Sequence, residues 1–126
     1  MTTSPPRAPT TPLLLLWLAY ATGPTAWTLH LLLGYFAVSV GCPTVLGPSI
    51  TALVMHALSI AAIVACILGA VFGYRAWQRT GSASAATGAP AGRSAFLALS
   101  AIGLNTLFGM AVVVGDLPNF YLSPCS

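Results

Sequence analysis

The side chains in this sequence that could ligate a metal ion or transfer a proton are few and scattered. His30, Met55, His56 and Met110 carry imidazole and thioether groups, which are known copper ligands. His56 with Met55 and Met110 is therefore a candidate copper site, and haem is the other cofactor that such residues suggest. Because these residues lack the close spacing of a metal motif, polar groups satisfied inside a helical bundle explain them better.

The sequence lacks the groups that common enzyme mechanisms need. Asp116 is the only acidic residue, so hydrolysis by a pair of carboxylates has no components. The chain also contains no C-x-x-C, no H-E-x-x-H and no phosphate-binding glycine loop. We therefore expect a protein that is not an enzyme and that binds no cofactor other than copper or haem.

The composition indicates a protein whose solvent is the lipid bilayer. Of the 126 residues, 57% are hydrophobic and only 4% are charged, whereas about a quarter of the residues in soluble domains are charged. The basic residues are Arg7, Arg75, Arg79 and Arg93, and they flank apolar segments. Nucleic-acid binding is rejected, because it needs cations clustered on a solvated surface.

Three apolar segments must position these side chains. The sequence predicts an all-α membrane protein, a three-helix transmembrane bundle. Residues 13–42 form a long or kinked first helix, because 30 uncharged residues exceed the roughly 20 that cross a bilayer and Gly23-Pro24 interrupts them. The other predicted segments are a disordered cytoplasmic N-terminus (1–12), an outer loop (43–50), a second transmembrane helix (51–78), a cytoplasmic linker (79–94), a third transmembrane helix (95–115) and an outer tail (116–126).

The arginines predict the orientation of the bundle. With three spans, all four fall on the side of the N-terminus, which the positive-inside rule places in the cytoplasm. The C-terminus then lies outside, and the location is a bacterial inner (plasma) membrane. Asp116 follows the third predicted span, so no acid lies within one, which argues against a proton-coupled transporter.

A cleaved signal peptide is the rival interpretation of the N-terminal part. Arg7, the apolar run 13–19 and the sequence Ala19-Tyr20-Ala21 imitate a signal peptide with its cleavage site. Cleavage would place the linker with its three arginines outside the membrane, which opposes the positive-inside rule. The uncleaved chain is therefore the favoured interpretation.

The predicted topology places two cysteines on the outer face. Cys42 ends the first helix and Cys125 follows the third, and a periplasm or an equivalent oxidising space permits a disulfide between them. Two free thiols and a soft-metal site remain open alternatives. Cys66 lies mid-membrane and is most simply a small packing residue.

The second helix carries small residues at every fourth position. Such a stripe lets a neighbouring helix approach closely, which promotes association in lipid. Gly69 and Gly73 form a G-x-x-x-G motif within it. The predicted packing stripe consists of Ala57, Ala61, Ala65, Gly69 and Gly73.

Polar residues inside the spans are expected to face the bundle interior. Measured from Cys42 and Asp116 as outer ends, His30 and Asn105 both lie about 17 Å deep. We expect them to face inward and to form a buried polar pair. His56 is predicted only about 7–8 Å from the outer edge, so it differs in depth from His30 by about 10 Å. That difference disfavours the two histidines as axial ligands of one haem.

Several short motifs resemble a family of small, uncharacterised bacterial proteins with three membrane spans. The motifs are Gly23-Pro24-Thr-Ala-Trp27-x-x-His30-x-x-x-x-Tyr35 ending in Cys42, Arg75-Ala-Trp77-x-Arg79, Arg93-x-x-Phe96-x-Ala98-Leu99, Leu117-Pro118 and Pro124-Cys125. Members of this family are often encoded beside cytochrome c oxidase components. The resemblance implies an accessory or assembly role near a respiratory-chain oxidase.

The sequence thus predicts a small accessory membrane protein that associates with other membrane protein subunits. Its packing surface would be the small-residue stripe of the second helix. Two alternatives stay open: a membrane protein that binds copper or haem, and a structural membrane protein that self-assembles.

Overall fold

The described part of the chain consists of three long helices and one short one. The computed structural model describes the backbone of residues 13–87 and 89–126, and the side chains of 13–79 and 92–126. No β-strand occurs among these residues. The predictions for the N-terminal segment 1–12, including the role of Arg7, lie outside the described residues. The helices are α1 (Leu13–Gly41), α2 (Gly47–Thr87), α3 (Ala89–Asp116) and α4 (Pro118–Tyr121).

The first helix is one continuous element. It runs from Leu13 to Gly41 with Pro24 inside it. Nearby threonines bond to the backbone of their own helix: the Thr28 hydroxyl donates to the carbonyl of Pro24 at 2.8 Å, and Thr22 donates to Leu18 at 2.6 Å. These bonds satisfy hydroxyl groups that lie on the outside of an apolar helix.

The second and third helices extend beyond the predicted boundaries. α2 begins at Gly47, whose φ of +69° suits the only residue type without a Cβ. It continues to Thr87 and α3 begins at Ala89, so helical backbone occupies most of the segment predicted as a linker (79–94). The small residues there suggested a flexible chain. However, alanine also has the highest intrinsic helix propensity, and this preference explains the extension.

The three long helices pack against one another along their lengths. At one end, Gly41 of α1 lies against Thr51 of α2. At the other end, Leu16, Ala76 and Ala98 form a buried apolar cluster from all three helices. α1 and α2 are therefore antiparallel, and α3 runs parallel to α1. We call the end with Gly41 and Thr51 the disulfide end, for the cysteine pair described below.

Two helical stretches are long and apolar enough to cross a membrane. They are Gly47–Arg79 and Gly92–Tyr121. α1 is not one of them, because the residues around Pro24 and His30 separate its two apolar runs. Large apolar side chains nevertheless cover the outside of all three helices, for example Leu32, Leu53 and Leu107, each more than 60% exposed.

Only part of the predicted packing stripe lies inside the bundle. Gly69 and Gly73 are buried, Ala65 is half-buried, and Ala57 and Ala61 are exposed. A strict four-residue spacing rotates about 40° per step around a helix with 3.6 residues per turn, so a long stripe drifts off one face. The buried face of α2 instead alternates spacings of three and four, as in left-handed helix packing. It consists of Ser59, Ala62, Cys66, Gly69, Gly73 and Ala76.

Candidate functional site

Asn105 of α3 contacts both of the other long helices. Its amide nitrogen donates to the carbonyl of Ala19 on α1 and to that of Ala101 on its own helix, both at 2.8 Å. A Cβ built on Gly23 would lie 3.1 Å from the Cα of Asn105, and a Cβ on Gly69 would collide with the Asn105 side chain. The two glycines therefore make room for the amide, and we call this contact the Asn105 junction (Gly23, Gly69, Asn105).

A second group of polar side chains lies nearer the disulfide end. His30 Nε2 is 2.9 Å from the Ser59 hydroxyl, and Ser59 lines the same cavity as Asp116. His56 Nδ1 is 3.2 Å from Asp116 Oδ2, and Asn119 Nδ2 donates to Asp116 Oδ1 at 2.8 Å. We call these five residues the polar cluster. It brings together side chains of α1, α2, α3 and α4, and three of the five, the two histidines and Asp116, are ionisable.

The bonds of Ser59 favour one tautomer of His30. The Ser59 hydroxyl donates to the backbone carbonyl of Met55 at 3.1 Å, so it can accept a bond from a protonated His30 Nε2. Nδ1 of His30 is then an unprotonated acceptor, and it has no partner among the described residues.

The His56 ring is held by contacts on two sides. Asp116 binds its Nδ1, and the Phe120 ring lies 4.7 Å away between centroids at an interplanar angle of 33°. The His56 side chain is 29% exposed and that of Asp116 only 10%. Nε2 of His56 has no hydrogen-bond partner among the described residues. These contacts hold the imidazole of His56 in place and leave Nε2 without a hydrogen bond to another described residue.

The predicted pair of His30 and Asn105 does not form. Both side chains are buried, at 7% and 1% exposure, but His30 bonds to Ser59 whereas Asn105 bonds to backbone carbonyls. Asn105 packs against Gly23, seven residues before His30 and about 10 Å along the axis. The predicted equal depth is therefore wrong.

The position of Asp116 explains the error in depth. Depth was measured from Cys42 and Asp116 as though they were level, yet Asp116 bonds to His56, well inside α2. Cys42 is level with Cys125, nine residues beyond Asp116. The same correction applies to the two histidines. His30 bonds to Ser59, three residues from His56, so their axial separation is about 4.5 Å and not about 10 Å.

Asp116 also lies inside an apolar stretch. The stretch Gly92–Tyr121 includes it, whereas the sequence was interpreted as having no acid within a span. The residues 117–121 explain the difference, because the short helix α4 and its apolar side chains continue the stretch beyond the acid. An ionisable residue within such a stretch is a functional hypothesis by default.

The predicted copper ligands lie in three separate cavities. Met55 lines a cavity with His30, His56 lines another with Asp116, and Met110 lines a third. Consecutive residues of a helix point about 100° apart, which separates Met55 from His56. No group of three His, Cys, Asp or Glu side chains in the described residues could hold a metal ion.

The cysteines lie as the disulfide interpretation requires. The sulfur atoms of Cys42 and Cys125 are at disulfide-bonding distance and the Cα atoms are 5.4 Å apart. The pair ties the chain after α4 to the end of α1, across a sequence separation of 83 residues. Cys66 is free and buried, and it lies opposite Gly109 of α3.

The arginines within the described residues lie at the other end of the bundle. Arg75 and Arg79 flank a small cavity lined also by Leu15 and Phe72, and Arg93 is exposed near the start of α3. Tyr74 and Trp77 lie beside them with ring centroids 6.2 Å apart. This end of the bundle thus combines cations with aromatic rings, as membrane interfaces do.

Sequence reasoning missed Ser59 and Asn119 as parts of the polar cluster. Ser59 lies three residues after His56, a spacing that places both near one helix face. Asn119 lies three residues after Asp116 and bonds to it.

Comparison with family models, curated proteins and solved structures found no match.

Proposed function

We propose that this chain is a small, non-catalytic accessory or assembly protein of the bacterial inner membrane. It crosses the bilayer three times, with its N-terminus in the cytoplasm and its C-terminus outside. It associates through lipid-facing helix surfaces with subunits of a larger respiratory complex of the oxidase type. The proposal of an oxidase partner follows from the motif resemblance, whereas the membrane placement and the docking surface have structural support.

Charge and length support the membrane placement. The two longest apolar stretches, Gly47–Arg79 and Gly92–Tyr121, each exceed the about 20 residues that a bilayer requires. α1 packs along both of them and is itself 29 residues long. The arginine end is then cytoplasmic and the disulfide end lies outside, where oxidation of cysteines is favoured.

The observation that carries the docking proposal is the exposed part of the small-residue stripe. The bundle packs with Gly69 and Gly73 and leaves Ala57 and Ala61 uncovered on the outside of α2. Leu53 and Ile60, which lie close by in sequence, are also exposed. Small side chains one turn apart on an apolar helix let another helix approach closely, and in lipid such close packing drives association.

The test is purification of the native complex from bacterial membranes in mild detergent, followed by mass spectrometry of the co-purified subunits. We expect oxidase subunits with the wild-type chain, and their loss with Ala61→Ile, because a branched side chain on this surface blocks close helix approach. The matched control is Ala21→Ile, which makes the same change at an exposed position on α1.

Two results would contradict the proposal. One is a clean monomer or a homo-oligomer from native membranes, and the homo-oligomer would favour the self-assembling structural protein. The other is equal loss of partners in both isoleucine variants, which would show that the α2 surface has no special part in docking. Retention of the disulfide in each variant, measured by mass spectrometry, shows that its bundle has folded.

A further inference from the structure

The cavity at the arginine end of the bundle combines two cations with an apolar wall. It lies between α1 and α2, and its lining residues are Leu15, Phe72, Arg75, Ala76 and Arg79. Its volume is about 140 Å³, well below the roughly 300 Å³ at which sites for drug-sized molecules begin. Such a space holds a compact group such as a phosphate, and the rest of a larger ligand must lie outside it.

The two arginines of this cavity have no counter-ion within the chain. They lie four residues apart on α2, so their side chains leave neighbouring turns of one helix face. Neither guanidinium group bonds to another described residue. Asp116 is the only acidic residue in the whole sequence, and it bonds to His56 and Asn119 in the polar cluster.

Asp116 is too distant to neutralise the arginines. Ala76, which lines the cavity, packs in one cluster with Ala98 of α3. Asp116 lies about 18 residues further along α3, which corresponds to about 27 Å of helix. Charges more than about 8 Å apart are largely screened at physiological salt. The anion that balances this site must therefore come from outside the chain.

The position of the cavity along α2 indicates where that anion lies in a membrane. The apolar stretch Gly47–Arg79 ends at the second arginine. The rings of Tyr74 and Trp77 lie beside Arg75 with their centroids 6.2 Å apart. Aromatic rings and arginines whose heads reach toward water are typical of the membrane interface. At that depth the abundant anions are the phosphates of lipid head groups.

Charge and shape narrow the class of lipid. Arginine binds phosphate oxygens through paired N–H groups. A choline or ethanolamine head carries its own ammonium group, which two nearby arginines repel, so the preferred head has a net negative charge. Leu15 and Phe72 are 50% and 56% exposed, and they offer apolar surface to an acyl chain. A soluble phosphate compound would leave this surface uncovered.

We propose that this cavity binds one anionic phospholipid, with its phosphate between Arg75 and Arg79 and an acyl chain against Leu15 and Phe72. The inference rests on the proposed membrane placement, in which the arginine end meets the cytoplasmic leaflet. It needs no partner complex, and no covalent bond forms or breaks.

The test is native mass spectrometry of the full chain in neutral detergent micelles. Dioleoyl phosphatidylglycerol and dioleoyl phosphatidylcholine are the competing probes, because they share their acyl chains and their phosphate and differ in head-group charge. We expect the wild type to bind one phosphatidylglycerol in preference to phosphatidylcholine. Arg75→Gln and Arg79→Gln should each weaken that binding about tenfold, the effect of about 1.4 kcal/mol from a lost charge-assisted hydrogen bond.

The matched control for the arginine variants is Arg93→Gln. Arg93 is exposed near the start of α3 and is not among the lining residues of the cavity. This variant removes the same charge from the same end of the bundle, and we expect it to bind phosphatidylglycerol as the wild type does. The disulfide, measured by mass spectrometry, reports folding of each variant.

A cavity-filling variant tests the apolar wall separately from the charges. Leu15→Trp places a larger ring in the cavity and leaves both arginines in place, and we expect the bound lipid to be lost. Its control is Leu14→Trp, at a position that is 69% exposed and does not line the cavity. We expect wild-type binding in that control.

Four outcomes overturn the proposal. They are equal binding of the two lipids to the wild type, equal weakening by Arg93→Gln, unchanged binding to Leu15→Trp, and displacement of the lipid by an equal concentration of inorganic phosphate. The last would show that the site binds free phosphate. Cell fractionation tests the membrane placement separately. A chain found in the membrane fraction that prefers neither lipid contradicts this inference alone, whereas a chain found in the soluble fraction contradicts both.

Discussion

The Asn105 junction and the polar cluster differ in how their polar side chains are hydrogen-bonded. Both place polar side chains in an apolar bundle of three helices. At the junction, an amide that cannot ionise bonds to backbone carbonyls and is enclosed by glycines of the other two helices. In the cluster, histidines, a serine and an aspartate bond mainly to one another, beside cavities that open outward.

This difference indicates a division of roles. The backbone carbonyls that bind Asn105 are fixed by their helices, so the junction specifies how the helices align. The two histidines and Asp116 of the polar cluster are ionisable, whereas the Asn105 amide is not. Each region also contains one buried acceptor without a hydrogen-bond partner among the described residues, Nδ1 of His30 in the cluster and Oδ1 of Asn105 at the junction. We therefore expect substitutions at the junction to lower the free energy of unfolding most, and substitutions in the cluster to lower it less.

The largest expected effect comes from adding a side chain at Gly69. A Cβ there meets the Asn105 amide, which two hydrogen bonds hold in place. Gly69→Leu should therefore lower the free energy of unfolding by about 3 kcal/mol, as overpacking does. The measurement is reversible unfolding in mixed micelles. Gly103→Leu is the control, since nothing lies within 4 Å of a Cβ there, and equal losses in both variants would contradict the junction.

The next effect comes from reversing hydrogen-bond polarity at the same site. Asn105→Asp removes the amide donor and turns an acceptor toward the carbonyls of Ala19 and Ala101. We expect the free energy of unfolding to fall by about 2 kcal/mol, which is in the range for a buried polar group left without its partner. The comparison is Thr106→Val, which deletes an exposed hydroxyl bonded within its own helix. If Asn105→Asp were as stable as Thr106→Val, the amide would have no structural role.

A smaller effect is expected from Ser59→Ala in the polar cluster. The hydroxyl bonds His30 Nε2 at 2.9 Å, and interhelical hydrogen bonds in membranes contribute about 0.6 kcal/mol on average. The free energy of unfolding should therefore fall by less than about 1 kcal/mol, whereas the ¹⁵N NMR signals of the His30 ring should shift clearly. A loss as large as that of Gly69→Leu would show that the cluster, too, fixes helix alignment.

The smallest effect on the bundle is expected from the disulfide. The double variant Cys42→Ser, Cys125→Ser frees the chain after α4, because the disulfide joins it to the end of α1. Hydrogen exchange should become faster in residues 117–126 and stay unchanged around Asn105. The single variant Cys66→Ser serves as a control, since this cysteine is free. Faster exchange around Asn105 would mean that the disulfide supports the whole bundle.

The features that could be predicted from sequence are those with a local signal. The apolar segments predicted the three long helices. The free-energy cost of exposing a polar side chain to lipid predicted that His30 and Asn105 are buried. The G-x-x-x-G motif located the two glycines of α2 that are buried in the bundle. Each of these conclusions follows from residue type and spacing along one helix.

The features that could not be predicted depend on how the helices are shifted along one another. The partners of His30 and Asn105 depend on that shift, and the wrong reference level at Asp116 paired them incorrectly. Ala57 and Ala61 lie outside the interface, because the buried face of α2 depends on how this helix is rotated against its two neighbours. The extent of α2 to Thr87 depends on a helix preference that competes with the flexibility suggested by small residues.

We propose that the chain crosses the bilayer with the arginine end in the cytoplasm and the disulfide end outside. It is tested most directly by labelling intact cells with a membrane-impermeant maleimide. In a Gly92→Cys variant, we expect labelling of position 92 only after the cells are permeabilised. Cys125, after mild reduction, should react in intact cells. Labelling of both positions from the same side of the membrane would contradict the three-span topology.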